Sequence, residues 1–421
     1  MRLARTGEPL GTTLAQLQLI KDTARTMACV HPDHAASAGV PTRADVIVVG
    51  AGVIGLCVAW RAAAAGMEVV VADPEPARGA SWAAAGMLAP VTELHYGEEA
   101  LLALAQAAAR RWEGFASELT SIAGPVGYRR TGTLLVAADE GDRSQVHALY
   151  EFQRELGLEV EWCTGRRARA LEPALAPGLR SGLWVPGDHQ VHNRMLLAAL
   201  RRVVDGAGVQ IVPDAVDAVE VTAGAVRGVR LASGEGVGAS AVVLAAGCRS
   251  PLVAGLPSGT VPAVRPVKGQ IVRLRQRQRS SPAGPTRTVR AVVEGASVYV
   301  VPREDGTVVV GATVEEQGFD TTVTAGAVYE LLRDARRAVP AVSEMALEEA
   351  VAGLRPGSPD NGPIVGESAA VDGLVMATGH YRNGILLAPL TADAVAAVLG
   401  GRAVPTEMAP FGPDRFAAVT R

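Results

Sequence analysis

From residue 44 onward, short β-branched runs alternate along the chain with longer stretches of helical periodicity. Val46–Val49, Glu68–Ala72 and Ala241–Leu244 are nearly continuous apolar runs, which is typical of strands buried on both faces of a parallel sheet. Ile54–Ala65, between the first two, has a helical pattern, so this region predicts a right-handed strand–helix–strand unit. Further helices are predicted at Ala100–Ile122, Ser144–Leu156, Met195–Gly206, Ala325–Val339 and Ile385–Leu399.

The middle of the chain has a different pattern, in which apolar and polar residues alternate as in antiparallel strands with one wet face. Such strands are predicted at Gly269–Leu274, Thr288–Val293, Ser297–Val301 and Thr307–Val310. Other strands are predicted at Tyr128–Val136, Gln210–Val212, Ala218–Val221, Gly228–Leu231 and Leu374–Ala377. A turn is expected at Gly379–Gly384, and Ala346–Leu354 leads into a proline- and glycine-rich loop that begins at Pro356.

Together these segments predict an α/β protein whose domains are discontinuous in sequence. A Rossmann-type domain is expected over 44–125, 187–262 and 356–421, and an α+β substrate domain with an antiparallel sheet over 126–186 and 263–355. Residues 1–43 are expected to be a disordered extension, with a short helix at Leu14–Ile20 or a start at Met27 as alternatives.

Composition narrows the class of protein. The chain has 421 residues, 48% of them hydrophobic and 20% charged, so it can bury a large core. Its formal net charge of -3 gives no general attraction for nucleic acid or an anionic membrane. The four cysteines form no CxxC pair, and no apolar run reaches the ~18–20 residues of a membrane span. We therefore expect a cytoplasmic protein with no metal, nucleic-acid or membrane partner.

One glycine motif indicates a ligand-binding turn. Gly50-Ala51-Gly52-Val53-Ile54-Gly55 follows the first predicted strand and opens the first helix, and Asp73 closes the next strand about 20 residues later. Gly50 permits the tight turn, Gly52 lets the backbone approach a pyrophosphate, and Gly55 allows close helix–strand packing. The helix N-terminus attracts the phosphates, and Asp73 accepts from ribose hydroxyls. The motif predicts a dinucleotide site.

Further stretches carry a resemblance that covers roughly residues 44–400. They are GASWAAAGMLAP from Gly79, PVKGQ from Pro266, VYVVPR from Val298, GLRPG from Gly353 and GHYRNGILLAP from Gly379. In this order they resemble the D-amino acid oxidase family of flavoproteins, and within it the glycine oxidases of thiamine biosynthesis. The resemblance makes the Rossmann-type domain an FAD-binding domain with non-covalent FAD. Trp82 departs from the pattern, because the family usually has a small residue there.

The resemblance implies which residues contact the cofactor. Gly384 opens a helix whose positive end can stabilise negative charge on the reduced flavin. The matching positions are Gly50, Gly52, Val53, Ile54, Gly55, Asp73, Pro74, Ala80, Ser81, Ala85, Gly86, Met87, Val216, His380, Tyr381, Arg382, Asn383, Gly384, Ile385 and Leu386.

Three residues are expected to bind the substrate. Arg355 can grip a carboxylate with both arms of its guanidinium and stays charged when desolvated. Arg382 is the second contact, through its backbone as much as its charge, and Tyr299 closes the pocket and donates a hydrogen bond. The implied reaction oxidises glycine, sarcosine or small D-amino acids by hydride transfer to flavin N5. O2 then becomes H2O2, and the imine gives glyoxylate and ammonia or passes to thiazole synthase.

Several alternatives stay open. No general base is conspicuous, so no catalytic side chain is predicted. A dehydrogenase that passes electrons to a membrane quinone is the main alternative, ahead of an RNA-modifying flavoprotein, a nicotinamide dehydrogenase and a binding module. Lys268 is interpreted as structural rather than oxygen-activating, and Asp188, His189 and His192 as a helix-capping loop. A homo-oligomer is expected.

Overall fold

The computed structural model describes residues 39–277 and 283–420, so the predicted helix at Leu14–Ile20 and the possible start at Met27 lie outside the described residues. The α-helices are α1 Val53–Ala64, α2 Gly79–Ala83, α3 Glu99–Ala123, α4 Glu140–Glu155, α5 Gly165–Leu171, α6 Asn193–Gly206, α7 Ala325–Ala338 and α8 Gly384–Leu399. Every helix predicted within this range is confirmed, with ends shifted by at most a few residues.

The strands alternate with these helices in the first part of the chain and follow one another in the middle. They are β1 Val46–Val49, β2 Val69–Ala72, β3 Met87–Leu88, β4 Thr133–Ala137, β5 Glu161–Thr164, β6 Ser181–Val185, β7 His189–Gln190, β8 Gln210–Val212, β9 Val216–Thr222, β10 Ala225–Leu231, β11 Gly236–Gly238, β12 Ala241–Leu244, β13 Arg265–Arg275, β14 Thr288–Val293, β15 Ala296–Pro302, β16 Thr307–Gly311, β17 Ala346–Gly357, β18 Ile364–Glu367 and β19 Leu374–Thr378.

A six-stranded sheet in the order β18-β19-β12-β1-β2-β8 brings together segments that are far apart in sequence. Its pairs are parallel except β18 with β19. Alternate residues of β1 point to opposite faces: Val46 and Val48 pack against the helices, and Ile47 and Val49 against the small sheet β9–β11. Because both faces are covered, the strands are the continuous apolar runs that the sequence shows.

A second, eight-stranded sheet has the order β17-β13-β16-β15-β14-β4-β6-β5. Its pairs are antiparallel except β14 with β4. Leu331 and Ala335 of α7 pack into a core with Val300 and Val310 on one face of this sheet. The antiparallel block predicted in the middle of the chain is confirmed, and its other face contributes side chains to the cavity described below.

Two predicted boundaries were wrong. The strand predicted at Tyr128–Val136 begins only at Thr133, because Gly132 has a φ of 67° and a Cβ there would meet the ring of Trp184. The loop predicted to begin at Pro356 begins later, because β17 pairs with β13 as far as Gly357. Arg355 is therefore a strand residue.

The described residues from Val40 onward belong to one compact unit. The domain boundaries expected from the sequence stay a proposal. Among the described residues, Tyr381–Leu399 is the one helix long and apolar enough to cross a membrane. However, 61% of its apolar stretch is buried inside the molecule, as in the core helix of a globular protein.

Candidate functional site

A cavity of about 1230 Å³ lies between the carboxyl ends of β1, β2 and β12 and the open face of the eight-stranded sheet. The carboxyl edge of a parallel sheet is where such folds bind ligands. The volume exceeds the roughly 300–1,000 Å³ of an ordinary small-molecule site. The cavity therefore has room for a large ligand together with a small one.

The glycine motif forms one end of this cavity. Gly50 has a φ of 104°, and a Cβ there would lie 2.6 Å from the carbonyl oxygen of Ala245. A Cβ on Gly55 would lie 1.9 Å from the carbonyl oxygen of Gly50, so Gly55 serves close packing and does not line the cavity. Gly52 precedes α1 without a side-chain cap, which leaves backbone N–H groups of the first helical turn facing the cavity.

Asp73 and Ser81 brace this turn. The Asp73 carboxylate accepts from the backbone N–H of Ala51 at 2.6 Å and of Glu75 at 2.8 Å. The Ser81 hydroxyl accepts from the N–H of Val53 at 3.1 Å. Both side chains line the cavity, so they shape the loop and also present acceptor oxygens to a ligand.

Segment 81–86 lines the cavity. Its carbonyl oxygens accept hydrogen bonds from side chains that the sequence did not predict to belong to the site. Asn193 donates to the carbonyl oxygens of Ser81 at 2.9 Å and Trp82 at 2.8 Å. Arg273 donates to the carbonyl oxygen of Ala84 at 3.5 Å. The buried Arg303 donates to Ala85 and, at 2.6 Å, to Gln190. Burial and the neighbouring Arg273 lower the pKa of Arg303 to about 9, so it is still protonated at neutral pH. Arg303 is the last residue of the VYVVPR stretch, so this motif could have identified it as a residue that supports the site.

Trp82, the residue that departs from the family pattern, also lies in the cavity wall. The guanidinium groups of Arg78 and Arg194 lie over its ring, at 4.2 and 4.1 Å from the ring centroid. Arg194 is in turn paired with Glu349 at 2.5 Å. Two cation–π contacts therefore hold the large ring in place.

Residues 380–385 form another part of the cavity wall. His380 is buried, its ring nitrogen lies 3.0 Å from the Thr391 hydroxyl, and burial lowers its pKa to about 3, so it is neutral. Helix α8 begins at Gly384 with no side-chain cap from Asn383, so its N-terminal N–H groups are open to the cavity. Leu386 faces away from the cavity, and its carbonyl accepts from a tryptophan in α3 at 2.8 Å.

Arg355 reaches across a neighbouring strand rather than standing out from its own. A Cβ on Gly269 of β13 would lie 2.4 Å from both terminal nitrogens of the guanidinium, so the group lies flat over this glycine. It donates to the carbonyl oxygens of Lys268 at 3.3 Å and Thr313 at 3.1 Å. No carboxylate among residues 39–277 and 283–420 forms an ion pair with it. A positive charge in the cavity wall thus has only backbone partners.

The Tyr299 side chain also occupies the space left by a glycine on a neighbouring strand. Its ring lies over Gly311 of β16, where a Cβ would be 2.4 Å from the hydroxyl oxygen. Burial raises the pKa of Tyr299 to about 12 against the opposing effect of Arg355, so the hydroxyl is protonated and can donate. The two glycines bring the Arg355 and Tyr299 side chains toward each other across the sheet face.

An ion-pair cluster borders the pocket beyond Tyr299. Arg290 pairs with Glu93, which also lies 3.5 Å from Nε of Arg382. Arg382 further pairs with Glu98 at 3.1 Å and lies 2.7 Å from the ring nitrogen of His95. Burial and Arg382 lower the pKa of His95, which favours its neutral form. The Arg382 guanidinium is therefore already engaged by two carboxylates.

Other candidates lie outside the cavity. Lys268 is buried and pairs with Asp320 at 2.9 Å and Glu315 at 3.7 Å, which is the structural role interpreted from the sequence. His192 caps α6 by accepting from Met195 N–H at 3.3 Å, as interpreted from the sequence. Among the described residues, no group of three or more His, Cys, Asp or Glu side chains is placed to hold a metal ion.

Of the predicted site residues, all but Gly55 and Leu386 line this cavity. FAD fits the residues present. The glycine cradle admits a close backbone approach, and two helix N-termini face the cavity without a side-chain cap from Gly52 or Asn383. Apart from the Val53 N–H, from which Ser81 already accepts, their N–H groups suit a diphosphate and an electron-rich ring. Arg78 and Arg249 also line the cavity without a carboxylate partner in the described part of the chain, and sequence reasoning missed both.

Comparisons with known proteins agree with this geometry. The sequence model of the family described as "FAD dependent oxidoreductase" matches residues 45–398. The chain is 34% identical to the bifunctional protein ThiO/ThiG of Synechocystis sp. over 90% of its own length, but it spans only 55% of that relative. It is 32% identical to the glycine oxidase of Geobacillus kaustophilus, with 89% of this chain and 97% of that one covered.

Solved structures show the same relationship. The crystal structure of the Geobacillus kaustophilus glycine oxidase superposes with a TM-score of 0.81, covering 89% of this chain and 99% of that one. That of an iminodiacetate oxidase from Chelativorans sp. gives 0.77 at 25% identity, covering 87% and 98%. The chain belongs to the D-amino acid oxidase family of FAD-dependent oxidoreductases.

Proposed function

We propose that this enzyme is a glycine oxidase, which deaminates glycine and small amines such as sarcosine or D-amino acids. The main support for the proposal is the Arg355 guanidinium, a positive charge in the cavity wall whose partners among the described residues are backbone carbonyls alone. A guanidinium binds a carboxylate with two parallel hydrogen bonds. The space beside it is bounded by Tyr299 and the Arg290–Glu93 pair, so it suits a small amino acid.

The cofactor would be held by the two uncapped helix ends and the loops between them. The first turn of α1, with Gly50 and Gly52, takes the diphosphate, and Asp73 takes a ribose. Val216, the first residue of β9, contacts the adenine in this proposal, and its place in the cavity lining supports that role. The remaining contacts are Val53, Ile54, Pro74, Ala80, Ser81, Ala85, Gly86, Met87 and residues 380–385.

The chain's own contribution to the reaction is orientation and charge. Arg355 binds the substrate carboxylate, the Tyr299 hydroxyl donates to the same group, and Arg382 adds its backbone at the pocket mouth. No side chain is assigned as a general base, so a neutral amine is the reactive form. FAD, when bound, supplies the acceptor of the hydride and reduces O2 to H2O2. The amino acid loses two electrons and two protons to give an imine, which water converts to glyoxylate and ammonia.

The proposal extends to the cellular role. The similarity to the bifunctional ThiO/ThiG protein supports a role in thiamine biosynthesis, in which the imine passes to a thiazole synthase. A homo-oligomer in the cytoplasm fits the sequence-based expectations. A dehydrogenase that delivers electrons to a membrane quinone is the alternative that the following experiment separates.

The test is H2O2 release by the purified, yellow protein in air with glycine, sarcosine, D-alanine, D-proline and L-alanine. Peroxide with glycine supports the proposal. Flavin that glycine bleaches without oxygen but that forms no peroxide in air indicates the dehydrogenase. Arg355→Met should lower kcat/KM for glycine by about 100- to 1,000-fold, since two charge-assisted hydrogen bonds are lost, while the flavin stays bound. Unchanged turnover would remove Arg355 from the site.

A further inference from the structure

Glu93 is a half-buried carboxylate that the proposed reaction does not use. The turn before it is firmly held: Asp188 accepts from the N–H groups of Val91 at 3.1 Å and Thr92 at 2.8 Å. Gln153 donates to the carbonyl of Val91 at 2.9 Å. Although burial raises the pKa of Glu93, Arg290 and the second arginine of the cluster outweigh it and hold that pKa below its ordinary value. An ionised carboxylate is thus kept at one place in the cavity wall.

Its partner Arg290 belongs to the sheet face that also carries the substrate-binding side chains. Arg290 of β14 lies directly opposite Tyr299 of β15 in the antiparallel register, so the two side chains are neighbours on one face. Arg355 lies over β13, three strand spacings or about 14 Å from β14. Arg355 and Arg290 are the two arginines that this sheet contributes to the cavity lining among the described residues.

The two arginines differ in one respect. Arg355 has no carboxylate partner among the described residues, whereas Arg290 is paired with Glu93. A substrate with one carboxylate is recognised by the first. A substrate with a second carboxylate would meet Glu93 at the second, and like charges at a desolvated contact cost several kcal/mol.

We propose that Glu93, by occupying Arg290, determines substrate class: it excludes amino and imino dicarboxylic acids and leaves monocarboxylic amines as substrates. This inference rests on the proposed function, since it concerns the same pocket. Its consequence is a gain of function. Removing the charge of Glu93 leaves a half-buried guanidinium facing the cavity, and that group becomes a binding site for a second carboxylate.

The experiment compares wild type, Glu93→Gln and the double variant Glu93→Gln/Arg290→Met. The measured quantities are two ratios of kcat/KM, iminodiacetate to glycine and D-aspartate to D-alanine. We expect both ratios to rise 10-fold or more in Glu93→Gln, because a hydrogen bond to a charged group is gained and a repulsion is lost. Both should return to near the wild-type ratio in the double variant. Glu98→Gln is the matched control, since it removes a charge from the same cluster outside the cavity lining and should leave the ratios within 3-fold.

A gain of activity cannot result from misfolding, and a ratio compensates for any general loss of rate. Unchanged ratios in Glu93→Gln, with glycine still oxidised, overturn the inference. A gain that persists in the double variant also overturns it, because the second carboxylate then does not use Arg290. If Glu93→Gln does not retain flavin, Glu93→Ala, which also removes the charge, takes its place, and ratios that do not rise in it refute the inference. A wild type that oxidises no amine refutes the proposed function instead.

Discussion

Gly269→Ala tests whether the open space on β13 is what positions the substrate-binding guanidinium. A Cβ at this position would lie 2.4 Å from both terminal nitrogens of Arg355 and 2.5 Å from Cζ. Non-bonded carbon atoms pack at about 3.5–4.0 Å, so the guanidinium must retreat by about 1 Å. The atoms that meet the new methyl group are the far end of a flexible side chain, so the cost falls on the site rather than on the fold.

We expect kcat/KM for glycine to fall about 100-fold, which is the effect of a 1 Å misplacement of a positioning group and corresponds to about 2.7 kcal/mol. Most of the loss should be in KM, because carboxylate binding is what weakens. The backbone of Gly269 is not in the left-handed region, and alanine is the better strand residue, so stability should hold or rise by about 0.5 kcal/mol.

The assay is steady-state peroxide release, together with the Tm and the dissociation constant for FAD. Gly236→Ala is the matched control: this glycine is also in a strand, but a Cβ there meets nothing within 4 Å. The double variant Gly269→Ala/Arg355→Ala should be no worse than Arg355→Ala alone, since the glycine acts through the arginine. A kcat/KM within 3-fold of wild type, or fully additive losses in the double variant, would refute this account of the site.

Three further predictions concern single side chains. Tyr299→Phe should raise KM for glycine about 5- to 10-fold with bound FAD unchanged, because one hydrogen bond of about 1 kcal/mol is lost, and an unchanged KM would contradict the assigned contact. Asp188→Asn should lower the free energy of unfolding by about 2 kcal/mol in urea titrations, since the carboxylate accepts from two backbone N–H groups and the Thr92 hydroxyl; a shift below 0.5 kcal/mol would argue against that anchor. His380 has a pKa of about 3 in the folded protein against an ordinary 6.5, so the unfolded chain binds the proton first and stability is lost as the pH falls below about 6.5. His380→Gln, which can still bond Thr391, should therefore lose less Tm between pH 7.5 and 5 than wild type, and parallel losses would show that His380 is not the group responsible.

Much of the fold could be predicted because its signals are local. The apolar run Val46–Val49 requires burial on both faces, and the glycine spacing from Gly50 to Gly55 suits only a tight turn entering a helix. These are properties of neighbouring residues, so they are visible in sequence. The same holds for the alternating strands of the second sheet and for the motifs that carry the family resemblance.

The boundary errors show where local signals stop. Nothing in Tyr128–Val136 indicates that Trp184 packs over Gly132, and that contact delays the start of β4. The loop was predicted to begin at Pro356 because prolines and glycines cluster there, yet pairing with β13 keeps the chain extended to Gly357. In both cases a distant partner decided the local conformation.

The sequence by itself determined the strand–helix order, the dinucleotide turn and the residue types of the site, since each depends on periodicity or on a short motif. The tertiary structure alone decided which charges are engaged. Glu93 and Arg290 are 197 positions apart, and Arg303 supports Ala85 across 218. Such contacts follow from sheet order and strand register, which no local pattern encodes. They leave the carboxylate-free guanidinium of Arg355 over Gly269 and the paired one of Arg290 beside Tyr299, and that difference underlies the proposed choice of substrate.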